Sequence, residues 1–184
     1  MVVEAYVNTL GQGYWRCIKD VPYVIHTTNV KSEAFVNGAF HWAIDFPGCP
    51  IVSFDISDEV FRAVPCAQLG VLEMTDSLLV LGGCLAAVKT SFPLQIEIWV
   101  MKVYGFQESW TKNLIVNLYE LGRNVVGVKV LSYLKDDELL LVVNNHSLLS
   151  YNPQTTRLRK LNIVGLPSWF EAIAYVGSLV SPSA

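Results

Sequence analysis

Hydrophobic positions in this chain come in short runs that polar pairs and glycines cut apart. That pattern predicts short strands joined by tight turns. Phe35-Val36 and Ala39-Phe40-His41-Trp42 flank Asn37-Gly38. The Asn-Gly pair supplies the two positive φ angles of a type I′ turn, so a hairpin is expected there. Ile51-Val52-Ser53-Phe54-Asp55 is the next strand. A polar turn, Ile56-Ser57-Asp58-Glu59, leads into Val60-Phe61-Arg62-Ala63-Val64, which Pro65 ends. A second hairpin pivots on Gly82-Gly83, between 78–81 and 85–88. Ile96-Glu97-Ile98-Trp99-Val100-Met101 changes sidedness with period two, as a strand does. A third hairpin runs through 138–143, turns at 144–146 and resumes at 147–151. Asn152-Pro153-Gln154-Thr155 then turns into 156–161.

These segments line up as a repeat. Each unit has an aromatic-bearing strand, a polar turn, and a strand carrying a bulky residue with a basic neighbour. Tyr6 goes with Trp15-Arg16, Phe54 with Phe61-Arg62, Trp99 with Trp110-Thr111-Lys112, and Tyr151 with Leu158-Arg159. The leading aromatics stand at 6, 54, 99 and 151, in steps of 48, 45 and 52 residues. A period near 50 with four strands per unit is the kelch-type propeller spacing. The expected fold is therefore all-β: a partial kelch-like β-propeller of about four degenerate four-stranded blades in an open or incomplete ring. Residues 114–121 and 168–176 fit helix or strand by period alone. The repeat favours strand or loop for both.

Composition narrows the function classes. Charged residues are 16% of the 184 and hydrophobic ones 52%, so the chain is too apolar to be disordered. Lys and Arg number 13 against 16 Asp and Glu, a net charge of −3, which argues against a nucleic-acid partner. No secretory signal opens the chain. The longest uncharged stretch, 139–156, is too polar for a spanning helix, so no membrane partner is expected. Cys17, Cys49, Cys66 and Cys84 are 32, 17 and 18 residues apart with no Cys-x-x-Cys, which excludes the usual zinc-finger pattern. Two disulfides are possible on count. Four reduced thiols in a cytoplasmic or nuclear protein is the expected reading. Asn145-His146-Ser147 reads as a tight turn in preference to a glycosylation acceptor.

Several phrases, in order, carry a family resemblance. They are Leu10-Gly11 with Tyr14-Trp15-Arg16, then Phe35-Val36-Asn37-Gly38-Ala39-Phe40-His41-Trp42, then Ile51-Val52-Ser53-Phe54-Asp55 with Glu59, Phe61-Arg62 and Pro65. Leu81-Gly82-Gly83-Cys84-Leu85 follows. Ile96-Glu97-Ile98-Trp99-Val100-Met101-Lys102 comes next, with Tyr104-Gly105, Ser109-Trp110 and Thr111-Lys112. Ser150-Tyr151-Asn152-Pro153 and Tyr175-Val176-Gly177-Ser178-Leu179-Val180-Ser181-Pro182 complete the set. Together they resemble the plant F-box-associated domain of kelch-related type. The resemblance implies a non-catalytic module that selects protein targets for an SCF-type ubiquitin ligase. It implies one domain over 1–184, the C-terminal portion of a longer architecture. Residue 1 already sits inside the associated domain. Contact with the ligase adaptor would need an F-box that this chain is expected to lack.

No constellation of residues reads as an active site. His26, His41 and His146 have no metal-ligand spacing between them. His41, beside Trp42, reads as a packed or hydrogen-bonded structural histidine, and His146 as a solvated turn residue. Asp136-Asp137-Glu138 reads as a solvated turn. Asp55 to Glu59 lacks the glycine and the closing glutamate of a calcium loop. Gly11-Gln12-Gly13 lacks the rest of a phosphate loop. Arg157-Leu158-Arg159-Lys160 reads as a solvated strand. No cofactor, no metal and no catalytic residue are expected. Tyr104, Phe106 and Gln107 lie in the longest inter-strand turn, between Lys102 and Ser109, and form the expected partner-binding surface. An open arc would leave strand edges exposed, with 138–143 as an aggregation-prone segment. Two alternatives stay open: a truncated product without independent function, and a sugar-binding or enzymatic propeller.

Overall fold

The structure is a computed structural model and describes residues 4–18, 21, 33–44, 51–66, 77–91, 95–118, 125–134 and 138–174. The closing phrase 175–182, His26, Cys49 and the Asp136-Asp137 pair lie outside them.

Among the described residues, fourteen strands form four antiparallel sheets, with one turn of 3₁₀ helix. A two-stranded hairpin comes first, β1 (Ala5–Asn8) with β2 (Trp15–Ile18). Blade I is β3 (Glu33–Val36), β4 (Ala39–Ala43), β5 (Ile51–Asp55) and β6 (Val60–Ala63). Blade II is β7 (Ser77–Leu81), β8 (Cys84–Ser91), β9 (Gln95–Met101) and β10 (Trp110–Asn117). Blade III is β11 (Val128–Tyr133), β12 (Leu139–Val143), β13 (Ser147–Asn152) and β14 (Arg157–Lys160). Each blade is a meander in chain order. Among the described residues the repeat thus gives three complete blades and half of a fourth, and no strand pairing closes them into a ring.

The turns follow from residue chemistry. Asn37 and Gly38 take φ of 53° and 76°, and Gly82 and Gly83 take 56° and 77°. Both pairs are the type I′ turns that fit the twist of a hairpin. At β5–β6 the Asp55 carboxylate accepts the N–H groups of Ser57 and Asp58, at 2.9 and 3.0 Å. At β13–β14 the Asn152 amide oxygen does the same for Gln154 and Thr155. Each of these turns ends on a left-handed residue, Glu59 at 56° and Thr156 at 55°. Two different sequences therefore build one Asx-braced turn. Residues 110–117 are strand, so the helical alternative for 114–121 fails over its described part. Residues 168–174 are irregular, with no helix.

The first strands pack together: β7 touches both β3 and β11. One apolar cluster joins blade I to blade II through Ala34, Ala43, Ile51, Leu85, Met101 and Trp110. A second joins blade II to blade III through Ile96, Ile98, Val100, Leu139, Leu141 and Tyr151. Blade II is covered on both faces, which is why β9 buries Ile96, Ile98 and Val100 on one side and Met101 on the other. Each fully buried aliphatic side chain here stabilises the fold by about 1.5–3 kcal/mol. Buried strands contribute to the mean hydropathy of +0.39, and among the described residues no helix is long and apolar enough to cross a membrane. The outer face of blade III is capped by Phe170, which packs on Leu131, Val142 and Leu148. Its N–H donates to the Asn145 carbonyl at 2.9 Å.

The repeat aromatics play one geometric part. Trp99 packs toward blade I and Tyr151 toward blade II, so each faces the preceding blade. Phe54 lies on the face of blade I turned away from blade II, and Tyr6 is exposed. One expectation is corrected. Strand β12, within 138–143, is no open edge: it lies between β11 and β13, and Leu139, Leu141, Val142 and Val143 are buried.

Candidate binding face

In a four-stranded meander the first and third turns emerge at the same end of the blade. Here that end carries the turns at 37–38 and 56–59 in blade I, 82–83 and 102–109 in blade II, and 153–156 in blade III. Contacts join them into one face. The Ile56 N–H donates to the Gly38 carbonyl at 3.2 Å. Arg16 of the β1–β2 hairpin donates to both carboxylate oxygens of Glu59, one at 2.9 Å, and to Thr9 Oγ1 at 3.0 Å.

The third turn of blade II differs from its neighbours. Blades I and III use four-residue Asx turns there; blade II has eight residues, 102–109, with a 3₁₀ turn at Gln107–Ser109. Internal bonds brace this loop. The Ser109 hydroxyl lies 2.7 Å from the carbonyls of both Val103 and Phe106. The Phe106 N–H donates to the Val103 carbonyl, and the Gly105 N–H points to Met101 Sδ at 3.1 Å. Gly105 needs its φ of 81° to turn the chain. Bracing leaves Phe106 62% exposed and Val103 54% exposed.

Tyr104 anchors the loop to blade I. Its hydroxyl lies 2.7 Å from His41 Nε2, and His41 Nδ1 lies 3.2 Å from the Ala34 carbonyl. A carbonyl can only accept, so Nδ1 carries the proton and Nε2 accepts from the tyrosine. His41 is fully buried, and that burial holds its pKa below the ordinary value. Burial likewise raises the Tyr104 phenol above its ordinary pKa. Both shifts favour the neutral forms, in which the phenol donates to Nε2. Nearby, the Asp58 N–H, then the Ser57 N–H and Arg62, hold the Asp55 carboxyl below its usual range. Arg62 pairs with Asp58 at 2.7 Å and with Asp55 at 3.5 Å.

The three residues expected to contact a partner therefore separate. Phe106 and Gln107 are exposed at the tip, while Tyr104 is half-buried and holds the loop in place. The sequence pointed to His41 as structural, and its two bonds bear this out. Its partner 63 residues away carried no sequence signal. His146 is exposed, though Nδ1 bonds the Ser168 carbonyl. Arg157 and Arg159 are exposed, and Arg159 reaches Glu138 at 3.5 Å. Cys17 and Cys84 are free thiols, and the Cys66 thiol points to the Val64 carbonyl at 3.2 Å. Among the described residues, no group of three or more His, Cys, Asp or Glu is placed to hold a metal.

An all-β arc of four-stranded antiparallel blades, each a meander in chain order, belongs to the propeller class of folds. The chain belongs to the F-box associated beta propeller domain family, whose model matches residues 2–179. It is 33% identical to the F-box protein At3g07870 of Arabidopsis thaliana, over 90% of this chain and 44% of that protein. It is 30% identical to the F-box protein CPR1 of the same plant, over 96% of this chain and 47% of that one. Identity to the F-box/kelch-repeat protein At3g23880 is 27%, over 98% of this chain and 49% of that one. The chain thus spans about half the length of the curated relatives it matches.

Proposed function

We propose that this chain is a non-catalytic protein-recognition domain, the substrate-binding part of an F-box receptor of an SCF-type ubiquitin ligase. In this reading residues 1–184 form one propeller-like domain, the C-terminal portion of a longer architecture. Its partner is the protein to be ubiquitinated, met in the cytoplasm or nucleus. Adaptor docking falls to an F-box, outside the residues matched to the family. No cofactor takes part.

The observation that carries the reading is loop 102–109. A preformed loop binds at a lower ordering cost than a floppy one. An exposed aromatic on a rigid base is the usual form of a binding hot spot. We assign Phe106 and Gln107 to direct contact and Tyr104 to the same surface as its anchor.

The test is site-specific photo-cross-linking from plant extract. Benzoylphenylalanine is placed at position 106, at 107, and at the exposed control position 115 on β10. A common protein should cross-link from 106 and 107 but not from 115. It should carry ubiquitin and build up when the proteasome is inhibited. Equal labelling from all three positions, or a labelled protein that is never ubiquitinated, overturns the reading.

A further inference from the structure

Between blades II and III, on the turn face, lies an open groove with a cavity of about 410 Å3. That is within the range of ligand-binding clefts. Its floor is apolar: Leu81, Val100 and Leu114. Asn113 of β10 donates to the Tyr133 hydroxyl of β11 at 2.8 Å and bridges the two blades. Lys102 stands on one rim, at the root of loop 102–109, and Gln154 on the other, in the β13–β14 turn.

Three side chains of the lining, Lys102, Asn113 and Gln154, keep hydrogen-bonding capacity. Lys102 is the single charged residue in the lining, and no carboxylate pairs with it among the described residues. Asn113 spends an N–H on Tyr133, which leaves its carbonyl oxygen as an acceptor. The Gln154 side-chain amide makes no hydrogen bond among the described residues, although its backbone N–H is held by Asn152. An ammonium, an acceptor and a full amide surround an apolar floor. Amide groups match the N–H and C=O of a peptide backbone. The floor takes one apolar side chain, and the unpaired cation calls for an anion.

We propose that this groove binds an extended peptide segment of a protein partner, with an Asp or Glu side chain paired to Lys102. The proposal rests on the recognition reading above and names the partner chemistry it uses. Lys102 is a specificity residue here: it selects the acidic side chain, while Phe106 presents a separate contact above it.

The probe is a set of synthetic peptide pools with blocked ends, about six residues long, enough to span roughly 20 Å when extended. A central position is fixed as Glu, Gln or Lys. Fluorescence polarisation gives affinity. Alkylation of Cys84, a half-buried thiol in the groove lining, gives location, with Cys17 and Cys66 as internal references. The Glu pool should bind about fivefold tighter than the Gln pool. It should slow alkylation of Cys84 and leave Cys17 unchanged. K102E should invert the order, so that the Lys pool binds best. Q154W, at an exposed position that the fold does not depend on, should weaken all three pools. Equal binding of the Glu and Gln pools, an unchanged order in K102E, or no binding by any pool overturns the proposal. A chain that cross-links a ubiquitinated partner through position 106 yet shows no Glu preference keeps the reading and loses the groove. A Glu preference without such a partner does the reverse.

Discussion

His41 shows how one side chain couples two blades. It is buried in β4, with one ring nitrogen on its own blade and the other on a loop of the next. Its pKa in the fold lies below the ordinary histidine value because burial disfavours the charge. The unfolded chain therefore binds more protons than the folded chain just below that ordinary value, and stability rises with pH there. Its contribution is complete above about pH 6.5 and is lost as pH falls below that value. Asp55 and Glu97 have lowered pKa values, so their losses come at lower pH. The wild-type melting temperature should drop between about pH 7.5 and pH 5.5, and H41N should flatten that drop. H41N should also cost about 1–3 kcal/mol at neutral pH through weakened buried hydrogen bonds. Thermal melts of both chains at the two pH values check this. A wild-type slope that persists unchanged in H41N would assign the effect elsewhere.

At the scale of elements, the turns were the most legible part of the sequence. Asn37-Gly38 and Gly82-Gly83 each give two positive φ angles, and no other reading of those pairs fits a hairpin so well. The Asx turns were visible as polar interruptions, but their identity was not: nothing in Asp-Ile-Ser-Asp-Glu beside Asn-Pro-Gln-Thr-Thr announces the same bracing. Loop 102–109 was legible by length. Its anchor was not, because the Tyr104–His41 bond spans two blades. The groove was illegible for the same reason, since its walls come from 81–84, 100 and 102, 113–114, 133 and 153–154. These turns give a clean stability test. At Gly38 an added Cβ meets nothing within 4 Å, so only the left-handed backbone opposes a side chain. G38A should cost about 1 kcal/mol, with the β3–β4 register intact. Urea titration measures the cost, and amide exchange in β4 reads the register. A loss several times larger would show that the turn also governs how blade I packs.

At the scale of the whole molecule, the outer faces of blades I and III differ among the described residues. Blade III has its outer face sealed by Phe170, which is 8% exposed. Blade I turns outward a ladder of four phenylalanines, one from each strand and in cross-strand register: Phe35, Phe40, Phe54 and Phe61. Ring centres lie 4.9 Å apart for Phe35–Phe40 and 4.8 Å for Phe54–Phe61, and Trp42 joins at 6.1 and 6.3 Å. Period and position predicted both sheets, yet which face is sealed depends on where residues 161–174 run, and no pattern in that irregular segment encodes its path. Physically the two faces should answer a matched pair of substitutions in opposite ways. F170A opens a cavity against Leu131, Val142 and Leu148, and should cost about 3–5 kcal/mol. Phe35 is 52% exposed and stands on an edge strand, so F35T removes much less burial. It should leave the melting temperature within a few degrees of wild type while lowering dye binding and self-association, because the apolar patch shrinks. Thermal melts, dye fluorescence and light scattering on the three chains separate the cases. If F35T destabilises as much as F170A, the ladder works as core, and the outer face of blade I is as closed as that of blade III.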